Sequence, residues 1–501
     1  RVAAMSLGAL DKDRQVIPRW HTYPMARWLG VTASVEGQLP TPALGDDYQE
    51  KVASWEKSKR LGHASDLVGN ALILNQFGDQ SAIAAAQFIF DNSEKASPLL
   101  LEVAETFLRL SKNESLALPN VIVPDENNRV REVISRLKAR TREYPRNPIL
   151  WMDLAFYYSA LGQTELADRA VTVALSLNQE NRYLLRSGAR FFMHLGTPDK
   201  ALYYLRKSNS GQQDPWIVAA EIAITDTIEG TSQRMKSART MLENKSYAKF
   251  HLSELASALG TIELKSGARK KGNKLFALAL EEPTENTLAQ ITFLQNRHGE
   301  PRGAISPDRS AQSFEAEAML KAHNYDFDGA LDASKKWFAY QPFSSRPAVH
   351  GSYIAGVALG KYEEAIKVAR MGLLSSPKDV MLKNNLAFSL ASVGRVEEAK
   401  GVLEGIEEDR LSESEKNTLT ATRGVISFRS EDHAEGRRLY GIAIDGFKKE
   451  KSTRLETLAK FFWAREEERI GSGLGRQMAE EAIKNAKKLD IRELMGHFEK
   501  K

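Results

Sequence analysis

Four side chains spaced four apart carry the strongest local chemistry in the sequence: Arg182, Arg186, Arg190 and His194. That step places them on one face of a helix. A row of guanidiniums grips carboxylates or phosphates, each through two parallel hydrogen bonds. A solvated basic face with local ion pairs is the plainer use of the same row. A second basic run, Arg129, Arg131, Arg136, Lys138, Arg140, Arg142 and Arg146, precedes it, with Glu132 and Glu143 interspersed. Residues 129–194 are therefore expected to be the most basic region.

Catalysis needs converging groups with tuned pKa values. The 9 histidines show no HExxH or other ligand spacing, and the chain has neither a GxSxG elbow nor a GxxxxGKS/T loop. Cysteine is absent, which excludes disulfides, thiol nucleophiles and cysteine-ligated zinc. The run Ile470-Gly471-Ser472-Gly473-Leu474-Gly475-Arg476 is the nearest thing to a phosphate cradle. A dinucleotide fingerprint needs a strand before it, and here a charged helix precedes. The run is expected to be an inter-helix turn. Asp326 and Asp328 resemble the start of a calcium loop, but the closing bidentate Glu is missing. No catalytic residue, metal site or cofactor is expected.

Composition agrees with a soluble, folded chain. Of 501 residues 42% are apolar and 27% charged, with a net charge of +5. That mild excess permits acidic partners without demanding nucleic acid. No run of about 18 apolar residues exists to span a membrane. The expected compartment is the cytoplasm. The alternative, if a signal or anchor was removed ahead of Arg1, is the periplasm or a membrane-anchored form.

The elements that position the arginine row repeat. Small residues recur twelve apart: Ala155 and Ala167, Ala189 and Ala201, Gly260 and Gly272, Ala318 and Ala330, Ala387 and Ala399, Gly424 and Gly436. Seven further on stand Ala174, Ser208, Ala279 and Ala443, and Gly372 stands seven beyond Ala365, itself twelve beyond Tyr353. Twelve residues cover half a helix, a tight turn and the start of an antiparallel helix, so small side chains fall where two backbones approach. Gly162, Gly196, Gly267, Gly360 and Gly394 occupy the turns, where glycine ends a helix in a left-handed cap. Ala155 to Ala189 and Tyr353 to Ala387 are each 34 residues. Proline closes several units, at Pro145, Pro342 and Pro377.

This pattern resembles the tetratricopeptide repeat (TPR) family. The segments NPILWMDLAFYYSALGQTELADRAVTVALSL and GKYEEAIKVARMGLLSSPKDVMLKNNLAFSLASVGRVEEAK carry the likeness most closely. Tyr353 replaces the usual small residue of its unit, and Tyr325 replaces a turn glycine. The resemblance implies an all-α fold, a right-handed superhelical α-solenoid of helix–turn–helix repeats, here nine to eleven. The expected organisation is an irregular arm and capping helix over 1–63, a TPR array over 64–286, a break at 287–310 and a second array over 311–501 with a capping helix. An insertion is expected near 112–127.

In that family the first helix of each unit lines a concave groove. Carried over, the resemblance puts Arg182, Arg186, Arg190 and His194, Met152 and Phe156, His350 and Ile354, and Asn384 and Phe388 at partner-binding positions. It implies a non-catalytic scaffold or adaptor that binds a partner protein, with an acidic segment as one candidate. Bacterial members of this size serve multi-protein complexes for envelope assembly, export or defence. The alternative is a nucleic-acid-binding solenoid using the basic 129–194 region.

Overall fold

The computed structural model describes residues 46–73, 76–96, 98–112, 126–228, 230–243, 247–299, 306–307, 310, 313–489, 491 and 493–494. The expected N-terminal arm, with Trp20, Tyr23 and Trp28, and most of the expected 112–127 insertion lie outside the described residues. Within them the chain forms 24 α-helices and no strand. The described residues divide into two compact units, those within 1–120, 132–156 and 165–313, and those within 121–131, 157–164 and 314–501.

The first unit is built on α1 (Asp46–Ser58), α2 (Leu61–Ile73), α3 (Gln80–Asp91), α4 (Pro98–Ser111), α5 (Glu126–Glu143), α6 (Pro148–Ala160) and α7 (Thr164–Leu177). It continues through α8 (Arg182–His194), α9 (Pro198–Lys207), α10 (Pro215–Thr227), α11 (Met235–Glu243), α12 (Lys249–Lys265), α13 (Arg269–Ala279) and α14 (Glu285–His298). From α6 onward the even-numbered helices are the first of each pair. In the second unit the pairs are α15 (Phe314–His323) with α16 (Phe327–Tyr340), and α17 (Arg346–Tyr353) with α18 (Tyr362–Ser375). They continue with α19 (Val380–Ser392) and α20 (Val396–Leu403), α21 (Glu413–Arg429) and α22 (His433–Lys449), and α23 (Thr453–Arg469) and α24 (Gly473–Lys488). This is an array of TPR-like helix–turn–helix repeats.

The small-residue ladder does what its spacing implies. Ala189, Ala201, Ala318, Ala330, Ala387 and Ala399 are all buried. A Cβ placed on Gly272 would lie 3.1 Å from the Gly260 carbonyl oxygen, so the pair twelve apart marks direct backbone approach. Larger residues such as Phe192, Trp216, Phe276 and Trp337 fill the layers between pairs. Their burial is the main driving force, because helices of 8–18 residues gain most of their stability from tertiary packing.

The turns at Gly162, Gly196, Gly267, Gly394 and Gly471 close the same way. Gly196 has φ +68°, and the next amide, of Thr197, donates to the Phe192 carbonyl five residues back at 2.9 Å, a left-handed cap. Tyr325, expected at a turn-glycine position, has φ +68°, and Glu431 in the α21–α22 turn has φ +67°. Asp326 then donates its amide to Lys321 and Asp432 to Ser427. The cap geometry is imposed by the packing of the pair and persists where the sequence lacks glycine.

Two stretches depart from the sequence pattern. Helix α14 runs through part of the stretch expected as a break. Thr284 caps it by accepting from Thr287 N, and Leu288, Ile291 and Leu294 bury one face. At α17 the bulky Tyr353 stands in a small-residue position, and the helix runs on as a π-turn over Ile354–Ala358. A wide turn of that kind accommodates an oversized residue within a helix.

Candidate functional site

Helix α8 shows how the sequence sets out the arginine row. Asn181 caps it, accepting from Leu184 N at 3.2 Å. Tyr183, Leu184, Leu185, Gly188, Ala189, Phe191 and Phe192 are buried, which leaves Arg182, Arg186, Arg190 and His194 on the remaining stripe.

That stripe reaches along the row of first helices. Arg186 Nη2 donates to both carboxylate oxygens of Glu254 on α12, at 2.9 and 2.7 Å. Arg190 Nη2 donates to Asn286 Oδ1 on α14 at 2.7 Å. Packed helices lie about 8–10 Å apart. A straight row would hold α8 and α14 roughly 30 Å apart, too far for two side chains to bridge. The row must therefore curve sharply, with these groups on its inner side.

The inner network of the first unit links several side chains to Glu254 and Trp216. Asn286 Nδ2 and Thr284 Oγ1 both donate to Glu254 Oε1, at 3.0 and 3.1 Å. The Arg186 guanidinium lies 4.4 Å from the Trp216 ring centre, a cation–π contact. Trp216 Nε1 donates to His251 Nδ1 at 3.0 Å. Burial, and then the Arg182 charge, lower the His251 pKa, in keeping with Nδ1 as the acceptor of that bond. Asp214 caps α10 by accepting from Trp216 N and also pairs with Arg182. The three arginines thus face Asp214 and Glu254, with the Glu282 charge also acting on His251. Arg186 Nη1 is buried without a hydrogen-bond partner.

The other expected binding residues are placed as follows. Met152 is buried, Phe156 is half-buried and His194 is exposed. His350 is partly buried, its Nδ1 2.8 Å from Ser334 Oγ. Ile354 is buried in the π-turn. Asn384 accepts from Thr422 Oγ1 at 2.7 Å. Phe388 is buried edge-on to Phe462, ring centres 5.0 Å apart. Arg182, Arg186 and Arg190 are thus brought together in one network. His350, Ile354, Asn384 and Phe388 tie neighbouring helices of the second unit, which leaves them little surface for a partner.

The second unit has its own inner network, which the sequence reading missed. Glu466 is fully buried and meets Arg429 Nε at 2.6 Å, Arg465 Nη2 at 2.8 Å and Arg469 Nε at 3.2 Å. Arg429 Nη1 also reaches the Ser392 carbonyl, and Arg469 Nη2 the Phe428 carbonyl. Those carbonyls end α19 and α21, where the helix dipoles are negative. They offset the surplus of guanidinium charge. Burial opposes ionisation of Glu466, but the Arg429 hydrogen bond and the Arg465 charge outweigh it and hold the carboxyl below its usual range. Arg465 lies over the Phe462 ring at 4.9 Å.

A third pattern recurs on first helices. Glu221 receives Arg206 and Arg234, Glu263 receives Arg239 and Lys271, and Glu467 receives Arg437. In each case an arginine of the preceding helix pairs with a nearly buried carboxylate. A signal for the long-range pairs exists in the numbering. Arg186 and Glu254 are 68 apart, Ser253 and Thr287 34 apart, and Asn385 and Ser352 33 apart. Polar residues at one or two repeat lengths are candidate partners.

The Gly-rich run is a turn, as expected. Gly471 has φ +71°, and Ser472 caps α24 through Leu474 N. A Cβ on Gly475 would fall 2.5 Å from the Glu468 backbone nitrogen. Asp326 likewise caps α16, accepting from Gly329 N, and Asp328 pairs with Lys361. No described helix is long and apolar enough to cross a membrane.

No protein-family model matches the sequence, and no curated protein does. Among solved structures, the chain is similar to the yeast Tom70 at 12% identity, covering 73% of this chain and 91% of that one, with a TM-score of 0.30. It is similar to a monomeric IFIT1 mutant with Gppp-AAAA at 12% identity, covering 88% and 94%, with a TM-score of 0.28. A structure of Naa15/Naa10 bound to HypK-THB gives 13% identity, 88% and 80% coverage and a TM-score of 0.23. The fold assignment rests on the helix pairs of this chain itself.

Proposed function

We propose that the chain is a non-catalytic scaffold that binds a partner protein along the inner side of its first helices, within a multi-protein complex. One observation carries this reading: Arg182, Arg186 and Arg190 converge in one network, with the buried Arg186 Nη1 left without a hydrogen-bond partner. Arg186 is held over Trp216 and Arg190 on Asn286, so less side-chain entropy is lost when an acidic segment docks. Such a segment would meet Arg190 and the partly exposed Arg182 first and compete with Asp214 and Glu254 for the guanidiniums.

The test is anisotropy of a labelled Glu/Asp-rich peptide titrated with the full chain at low and at moderate salt. Binding should weaken with salt and fall about tenfold in Arg190→Ala. Absence of binding at low salt, or binding indifferent to Arg190→Ala, would sink this site.

A second reading has its own observation. Helix α5 exposes Arg131, Arg136, Lys138 and Arg142 to solvent, a footprint suited to phosphates. A labelled single-stranded RNA that binds the wild type but not Arg136→Glu/Arg142→Glu would favour nucleic acid as the ligand.

A further inference from the structure

Three helices of the first unit bring cations to one surface. Glu263, near the end of α12, accepts from Arg239 Nη2 of α11 at 3.1 Å and from Lys271 Nζ of α13 at 2.6 Å. Two residues on, Lys265 Nζ donates to Asp226, near the end of α10, at 2.5 Å. These bonds hold the three cations side by side, and each side chain stays more than half exposed. On the same helix turns Lys236, Arg269, Lys270 and Lys274 are exposed. Among the described residues, none of these four forms an ion pair with a carboxylate. Seven cations therefore share Asp226 and Glu263. Glu229, which lies outside the described residues, would raise the carboxylates only to three.

The helices gain nothing from this arrangement. Cations in a first turn oppose the helix dipole. Like charges three or four apart, as in Lys270, Lys271 and Lys274, repel. Helices α7, α9, α16, α18, α20 and α22 each carry an acidic residue in the first turn. Helices α11 and α13 carry none, and no side chain caps α13. The charge works against the local helix, and an external polyanion would offset it.

Three features choose among polyanions. Five of the seven cations are lysines, flexible point charges that suit a dense plane of phosphates, whereas bidentate grip on single groups favours arginine. The one aromatic ring in residues 226–240 and 262–279, Phe276, is buried, so this surface offers no ring for a base to stack on. Ile228, two residues past Asp226, is 42% exposed, an apolar side chain that a lipid interface takes up.

We propose that this surface docks the chain on an anionic phospholipid membrane. The lysines lie over the headgroup phosphates, as a polybasic segment does, and Ile228 enters the interface. The site is separate from the arginine row and does not depend on the scaffold reading.

Flotation of the full chain with vesicles tests it, using phosphatidylcholine and phosphatidylserine in equal parts, and phosphatidylcholine alone. The wild type should float with the first and not with the second, and less at higher salt. Lys270→Glu/Lys274→Glu should weaken binding by roughly tenfold or more. The acid it places in the first turn favours α13, and circular dichroism checks its fold. The neutral pair Lys236→Gln/Lys274→Gln should lose less, in the same direction. Lys336→Glu/Lys378→Glu, at exposed sites of the second unit, changes the net charge equally and should bind as the wild type does. Ile228→Ser should weaken binding about threefold with every charge in place. No flotation of the wild type, or equal flotation of a folded Lys270→Glu/Lys274→Glu, overturns the proposal. So does an equal loss in Lys336→Glu/Lys378→Glu. A labelled RNA that binds the wild type but not Lys270→Glu/Lys274→Glu, when neither vesicle is bound, also overturns it and makes the occupant a nucleic acid.

Discussion

The Arg186 guanidinium lies 4.4 Å from the centre of the Trp216 ring while gripping both oxygens of Glu254, two repeats along the chain. Both side chains are about nine-tenths buried. A buried pair of this kind gains little over an apolar replacement, yet breaking it is costly, because the survivor is left charged and dry. Glu254→Ala should therefore lose about 3 kcal/mol of stability in the first unit. Arg186→Met/Glu254→Leu should recover most of it. Urea unfolding followed by tryptophan fluorescence measures both, and a double variant no better than the single would show that the pair itself stabilises.

The left-handed turn residues lead to a second expectation. Glu431 and Tyr325 hold φ +67° and +68°, which costs a residue with a Cβ about 1–2 kcal/mol. Glycine removes that cost but loses more backbone entropy on folding. Glu431→Gly should be net stabilising by about 0.5–1 kcal/mol, raising the melting temperature of the second unit by about 2 °C. A lower melting temperature would mean that the Glu431 side chain makes a compensating contact.

The Gly-rich turn supplies a paired test. Gly475 approaches the α23 backbone, whereas a Cβ on Gly473 would meet nothing within 4 Å. Gly475→Ala should cost about 1–3 kcal/mol, as overpacking does. Gly473→Ala should be neutral or slightly stabilising. Equal losses from the two would contradict a purely structural turn. Calorimetry of the variants decides.

What the sequence made legible was the repeat: the twelve-residue ladder, the turns and the arginine stripe all follow from local periodicity. The stripe's fate was not legible. Glu254 and Asn286 lie 68 and 96 residues from the arginines they meet, and only the curvature of the helix row brings them within reach. Curvature is a sum of small rotations between neighbouring pairs, and no single motif encodes it. For the same reason Phe388 and Asn384, sound positions for a groove in a shallow array, become cross-ties where the row closes on itself. Tyr353 was visible as an exception to the pattern. Its partners, Arg454 and Glu493, were not.

The last prediction concerns pH and His350. Burial, and then the nearby Arg346 charge, push its pKa down from 6.5 to about 4. The hydrogen bonds explain how the neutral form is held. Ser334 Oγ spends its proton on the Ala330 carbonyl, so His350 Nδ1 must carry the proton that points at Ser334. A second proton would go on Nε2, opposed by burial and by the Arg346 charge. The unfolded chain binds that proton near pH 6.5 and the folded chain only near pH 4. Between those values the unfolded state holds more protons, so stability is fully present above pH 6.5 and is lost as pH falls toward 4. The full loss is about 3 kcal/mol. His350→Asn should flatten this part of the stability profile of the second unit, whatever it does to stability at pH 8. Unfolding curves from pH 8 to 4 test it. So does NMR titration of the imidazole, where a midpoint near 6.5 in the folded chain would sink the prediction.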